Sequence, residues 1–492
     1  MTRPTPPIEL TGTEERLGGP SVGVGPDTLT ALQAICPSTA VVADVAEVSR
    51  DWWPLSMHWA LAGSVARRGA AACAPRSTEE VAAVLRVAHE HSIPVTAAGG
   101  RSGVCGASVP VFGGIVLDLT ALAGVVSIDD ESLVVEVLAG TFGPDLEAAV
   151  AGAGLTIGHF PQSFDIATVG GWVACRGAGQ YSTRYGKVED MVVGLEVVLA
   201  DGTVVRTGGA PRAAAGPDLT QLFVGSEGTL GIVTRVWLRA HPVAPAERRA
   251  VWWFASLDDG FTACRRILRR GGTPAVLRLY DGPESARGHG GDGTQCVLIV
   301  LDEGDPALID AGMSIVAEEC SAAGGTPGDL ALVEKWMHHR NDTSALQALT
   351  RKGFVVDTME IAAPWSRLSA IVEAAQSAML AVPHARAATC HLSHSYTDGA
   401  CLYFTFAATP PADAVESTYV ALWDAGTRAV LAAGGNLSHH HGVGLNRSRF
   451  AADALGAAHG VLQAVKSALD PNGILNPGKL GLSSPFGEVT WP

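Results

Sequence analysis

The chain reads as an α+β protein of two mixed domains, and three observations carry that reading. Short alternating apolar runs suited to strands lie between stretches of helical period, without the regular strand–helix–strand alternation of a doubly wound parallel sheet. Asp201-Gly202 joins two of those runs as a hairpin signal. His241-Pro242-Val243-Ala244-Pro245 then interrupts the pattern and marks a linker. The expected divisions are an N-terminal extension over 1–70, a first α+β domain over 71–244, a second over 245–445, and a segment over 446–492 that returns to the first domain.

Each element has its own signal. Asp51-Trp52-Trp53-Pro54-Leu55 reads as an aromatic anchor packing onto a neighbouring domain. Ser77 and Glu80 form a capping-box pattern ahead of Val81, Val84, Leu85 and Ala88, which share one helical face. Strands are expected over 93–98, 114–119, 133–138, 191–199, 203–206 and 232–238, with a short helix over 218–223. The second domain reads as strands over 250–254, 296–302, 354–361, 388–396 and 400–407, with Arg278 on a further apolar strand. Helices over 257–270, 306–323, 365–381 and 411–433 separate them, which suits an antiparallel sheet covered on one side. A last helix over 450–469 stops at Asp470-Pro471-Asn472-Gly473.

Bulk properties exclude several classes of function. A net charge of −15 works against nucleic-acid binding, which is driven by Lys and Arg. The nine cysteines are scattered and never spaced C-x-x-C, so free thiols are expected rather than a disulfide framework or zinc ribbon. No signal-like N-terminus and no long apolar run is evident, so a soluble cytoplasmic protein is expected.

Three glycine-rich segments crowd the first domain: Ala98-Gly99-Gly100-Arg101-Ser102-Gly103-Val104, the stretch from Gly158 through Trp172, and Gly225-Ser226-Glu227-Gly228-Thr229-Leu230-Gly231. Such loops let a ligand approach the backbone closely and suggest amides gathered around a flat, phosphate-bearing cofactor. The first is followed by Pro110 and a strand rather than a helix, so it is not a dinucleotide fingerprint of the Rossmann kind.

Together with Cys390–Phe404, Ser438-His439-His440-His441-Gly442-Val443-Gly444 and Asp470–Leu480, these segments resemble the vanillyl-alcohol-oxidase, or p-cresol-methylhydroxylase (PCMH), type of FAD-binding flavoprotein. Within it they are most similar to the alkyldihydroxyacetonephosphate synthases. The resemblance implies a two-subdomain PCMH-type FAD-binding domain, an α+β cap domain with an antiparallel sheet, and FAD between the subdomains. It implies cofactor contacts from Ala98, Gly99, Gly100, Arg101, Ser102, Gly103 and Val104, and from Pro161, Gln162, Ser163, Thr168, Gly170 and Gly171. Ala174, Arg176, Gly177, Glu227, Gly228, Gly231, Ile232, Val233 and Lys479 complete the set. Many relatives attach FAD through a histidine where Arg101 stands, so non-covalent FAD is expected, with Cys105 a buried thiol.

The resemblance makes Tyr403 a proton donor and acceptor beside the flavin, and Arg278 an arginine needed for activity. Arg340 and Arg447 are further candidates for a substrate anion. Of His439, His440 and His441, three consecutive imidazoles cannot all point one way, so one or two are expected in the site as proton shuttles or anion contacts. A metal held with His391 and His394 is the rival reading, but no carboxylate or thiolate accompanies the run at ligand spacing, so no metal is expected. The resemblance also implies a phosphate-holding arginine seven residues before Gly353, where Leu346 stands; Arg351 lies about a helical turn on.

The expected function is oxidation of a small alcohol or 2-hydroxy acid at flavin N5, with the electron acceptor left open. The alternatives are a true synthase exchanging acyl for alkyl without net redox change, and a non-catalytic electron-transfer flavoprotein. The partner is a small molecule, and a homodimer is possible.

Overall fold

The computed structural model describes residues 14–41, 45–342 and 344–491. Its framework is three sheets. A four-stranded sheet runs in the order Ala40–Val41, Ala71–Cys73, Ile115–Asp118, Val95–Ala98, its last three strands parallel. A five-stranded antiparallel sheet runs Val204–Gly208, Val192–Val198, Ile232–Arg239, Val134–Leu138, Val125–Asp129. The third has seven antiparallel strands: Thr326–Pro327, Ala246–Phe254, Cys296–Gly304, Val276–Tyr280, Ala385–Ser395, Gly399–Ala408 and Val355–Pro364.

Local chemistry explains the elements that position the site. Ser77 caps the helix Thr78–Glu90 by accepting from the Glu80 amide, and its apolar face fills the core between the two smaller sheets. The hairpin forms at Asp201-Gly202, with Gly202 at φ +81° and the Thr203 amide donating to Asp201 Oδ1 at 2.8 Å. The tail returns to the first sheet, where Leu475 bridges Val95 and the Asn476 amide donates to Val95 O at 2.8 Å.

The large sheet keeps one face for packing and one for chemistry. Leu402, Phe404 and Phe406 turn into a core built with Leu368, Ile371, Leu422 and Trp423, from the helices Leu368–Leu380 and Val415–Ala432. Tyr403 and Thr405 face the opposite way. One-sided cover is a correction to make: the helix Ala331–His339 packs Val333 and Trp336 with Val276, Tyr280 and Ile299 on the other face, so the chemical face is roofed at one end.

Two further segments differ from their sequence signals. Val169–Cys175 is a helix, not a loop, because Thr168 caps it through the Gly171 amide; Gly170 is small because a Cβ there would lie 2.8 Å from Ala139 Cβ. The final helix breaks at Gly456, at φ +54° and ψ −134°, into Ala451–Leu455 and Ala457–Leu469. The aromatic anchor packs on the cap: Trp53 donates to Tyr419 Oη at 2.9 Å and meets Trp59 and Trp491 edge-on. The side chain of Leu346 lies outside the described residues.

Candidate active site

A cavity of about 630 Å³ opens between the glycine segments and the chemical face of the large sheet. Its size is that of a cofactor and substrate site. Of the catalytic and cofactor-binding residues that the resemblance implies, every one lines it except Ala98, Arg176, Lys479 and His439; of the further anion candidates, Arg340 lines it and Arg447 does not.

The physical reasons for those four exceptions are clear. The Ala98 side chain is buried in the strand core with Val45, Ala72 and Val116. Arg176 is the left-handed C-cap of its helix, and its guanidinium turns outward to Glu189 at 3.2 Å. Lys479 is wholly buried and donates to Val109 O at 2.7 Å and Asn476 Oδ1 at 3.4 Å, tying the tail to the loop after Val104. His439 is a strut whose Nε2 meets Tyr396 Oη at 2.8 Å while its carbonyl accepts from Lys187 Nζ at 2.6 Å.

The cofactor end is built by close loop contact. A Cβ on Gly100 would fall 1.9 Å from Ile166 O, and one on Gly99 would fall 2.4 Å from Thr168 Oγ1, so only glycine lets these segments meet. Among the described residues, no protein acceptor takes the amides of Gly100 through Gly103. His159, buried against Trp172, also lines the cavity with both ring nitrogens unpartnered. Open amides and an orphaned imidazole are what a phosphate-bearing, hydrogen-bonding cofactor would satisfy. Arg101 is occupied by Asp118 at 2.9 Å, and Cys105 is a buried thiol held well above its usual range, first by desolvation.

The histidine run is organised by two carboxylates: Glu360, which sequence reading did not name, and Glu227, which the resemblance implied only as a cofactor contact. Glu360 is fully buried and sits opposite Tyr403 in the sheet register. Its Oε1 accepts the amides of His439, His440 and His441 at 3.2, 3.1 and 2.9 Å and the Ser438 hydroxyl at 2.7 Å. Its Oε2 pairs with Arg447 and lies 2.9 Å from His441 Nδ1. Burial alone would raise this carboxyl, but Arg447 and the histidines hold it well below the usual carboxylate range. Arg447 is thereby committed to Glu360 and is not an anion contact. The second carboxylate, Glu227, accepts the Val443 and Gly444 amides at 2.5 and 2.8 Å, so a glycine loop of one domain grips the histidine loop of the other. Its role is positional as well as cavity-lining.

Tyr403 stands at the centre of this wall. Its hydroxyl donates to Thr358 Oγ1 at 3.0 Å, and its ring stacks on His391 at 4.9 Å and on His440 at 6.0 Å. Burial pushes the phenol up, so it keeps its proton at neutral pH. His391 is held on both sides: Nδ1 meets Glu284 Oε2 at 2.8 Å and Nε2 meets Arg278 Nη2 at 2.6 Å. A guanidinium has only donors, so Nε2 accepts and Nδ1–H donates, leaving the imidazole neutral. Burial lowers His391, and burial, followed by Lys187 for His439 and by His441 for His440, lowers those two well below the ordinary histidine range. Arg278 does not pair with Asp281, whose carboxylate accepts the Glu284 and Cys390 amides.

Ring nitrogens of His394, His439 and His440 lie within 4.8 Å of one another. His391 is not in that group. Ser182, Tyr396 and the contact between His439 and His440 engage four of its six nitrogens.

Residues 69–208 match the FAD binding domain model, and residues 244–480 match the model of the C-terminal domain of FAD linked oxidases. The chain is 34% identical over 431 residues to the uncharacterized FAD-linked oxidoreductase YgcU of Escherichia coli strain K12, covering 82% of this chain and 87% of that one. It is 29% identical to the alkyldihydroxyacetonephosphate synthase of Dictyostelium discoideum, over 82% and 72% of the two chains. It is 28% identical to the glycolate oxidase subunit GlcD of Bacillus subtilis, over 83% and 88%. A solved alkyldihydroxyacetonephosphate synthase superposes with a TM-score of 0.78 at 23% identity, over 96% and 90%. Substrate-bound p-cresol methylhydroxylase superposes with a TM-score of 0.74 at 18% identity, over 95% and 99%. No helix of the described residues is long and apolar enough to cross a membrane. Its fold is of the PCMH type, and by its matched domains and its YgcU relative the chain belongs to the FAD-linked oxidoreductases.

Proposed function

We propose that the protein oxidises the hydroxyl-bearing carbon of a small alcohol or 2-hydroxy acid, with FAD held non-covalently. The observation that carries this reading is the wall of imidazoles, His391, His440 and His441, gathered around the Tyr403 ring. When bound, FAD supplies the hydride acceptor. The residues that would hold it are the Gly99–Val104 loop, the Pro161–Thr168 segment, Gly170, Gly171 and the Gly228–Val233 loop.

The chain's own groups handle the proton. His440 lines the cavity and is uncharged at neutral pH. If its Nδ1–H donates to His439 Nδ1, and His439 in turn donates Nε2–H to Tyr396, its Nε2 is a free acceptor. In that tautomer His440 Nε2 takes the substrate hydroxyl proton. His441, positioned by Glu360, stands beside it as a second polar contact. Tyr403 keeps its proton and orients the substrate oxygen by turning its O–H to it from Thr358 Oγ1. Exchange of acyl for alkyl is the second reading, favoured by the name of the Dictyostelium relative. Leu346, where the resemblance expects a phosphate-holding arginine, weighs against it.

The test supplies purified holoprotein with a 2-hydroxy-acid panel and an artificial electron acceptor. The oxidation reading expects dye reduction and the matching keto acid. Formation of an alkyl ether from an acyl dihydroxyacetone phosphate and a fatty alcohol, without any acceptor, would replace it.

A further inference from the structure

Two guanidinium groups face the cavity without a carboxylate. Arg278 donates to Tyr280 Oη at 3.2 Å and to His391 Nε2 at 2.6 Å, both neutral acceptors. Arg340 donates to Gln180 Oε1 at 3.3 Å. Neither forms a salt bridge among the described residues, although Asp342 lines the same end of the cavity. Elsewhere along this framework the arginines are matched: Arg101 to Asp118, Arg184 to Asp302, Arg447 to Glu360. In a protein of net charge −15, two cavity-facing guanidiniums left unmatched are a departure with an electrostatic consequence.

The two share a wall. Both guanidiniums lie over the ring of Trp336, at 5.7 Å for Arg278 and 5.9 Å for Arg340. Arg340 is further enclosed by Phe160 at 5.7 Å and Tyr181 at 5.1 Å, rings that come from the first domain, while Trp336 belongs to the cap. Its carbonyl accepts from Gln180 Nε2 at 3.1 Å, so backbone and side chain are both fixed across the domain boundary. Aromatic faces leave a guanidinium's edge donors free, and a planar fork aimed at a cavity suits an oxyanion.

We propose that Arg340, together with Arg278, is the specificity-determining clamp for an oxyanion on the substrate, a carboxylate or a phosphate. The inference rests on the oxidation reading above for what the substrate does, and on the two guanidiniums alone for what it carries. Holding the anion at the Trp336 end relocates the contact that Leu346 does not offer at its own position.

The experiment measures binding, not turnover. Oxalate and inorganic phosphate are titrated into the flavin-loaded protein, with flavin absorbance and thermal midpoint as readouts. The wild type is expected to bind at least one of them, and R340Q to bind it about 10- to 100-fold more weakly, the loss of one charge-assisted contact. R340K keeps the charge and stem and guards against a folding failure; severalfold weaker binding is expected because its point charge does not reproduce the fork. Tighter oxalate assigns a carboxylate substrate, and tighter phosphate assigns a phosphate ester. Wild-type affinity in R340Q or R340K overturns the clamp, as does a wild type that binds neither anion. A protein that clamps the anion and oxidises no hydroxy acid loses the proposed reaction and keeps the clamp.

Discussion

At the scale of single residues, the account turns on charge states set by burial. His440 is depressed by desolvation first and then by His441, so its acid form appears only at pH below the ordinary histidine value of ~6.5. A base of that kind is free at neutral pH and is lost as pH falls. Tyr403, raised by burial, keeps its proton through the same range. The rate of flavin reduction is therefore expected to be flat from about pH 7 to 9 and to decline only at more acid pH. His440→Asn is expected to lower it by roughly 100-fold or more. Rapid-mixing measurements across pH check both, and an acid limb centred above 7 would contradict the assignment.

At the scale of elements, the histidine loop is held by carboxylates from both domains. Gly442 sits at φ +80°, and a Cβ there would lie 2.3 Å from Glu227 Oε1. Gly442→Ala is expected to cost about 1–3 kcal/mol through strain and displacement, read by chemical denaturation. Gly456→Ala, at positive φ but in open space, is the control and is expected to cost less. Glu360→Gln removes the partner of a wholly buried Arg447, and breaking such a pair typically costs about 3–5 kcal/mol. Glutamine keeps an oxygen for the three histidine amides but sets its NH2 against Arg447 and His441, so flavin reduction is expected to fall along with stability.

At the scale of the whole molecule, the glycine segments, Tyr403 and the histidine run were legible because each is a local pattern: a backbone requirement, a strand alternation, a repeated side chain. Their supports were not. Glu284 reaches His391 across 107 residues and Glu360 reaches His441 across 81, and no local period announces such pairs. Two acids, Asp357 and Glu360, in the otherwise mostly apolar strand over 354–361 were the available hint of Glu360. The helix Val169–Cys175 was hidden because its glycines mimic a loop, and the role of the Trp336 helix because the strands it packs on lie far from it in sequence. Lys479 shows the converse, a basic residue whose carbonyl acceptors a sequence does not disclose. Non-covalent FAD is the proposed state, since an ion-paired Arg101 stands where the resemblance puts a flavin-linking histidine. Acid precipitation is expected to leave the flavin in the supernatant, and a yellow pellet would contradict that expectation.

The central claim is that hydride and proton leave one substrate carbon and its hydroxyl inside this cavity. Anaerobic mixing of the oxidised holoprotein with a 2-hydroxy-acid panel tests it most directly. The account predicts bleaching of the flavin absorbance by at least one member without any added acceptor, greatly slowed in His440→Asn. Fully flavin-loaded protein whose colour no alcohol or hydroxy acid discharges would contradict it.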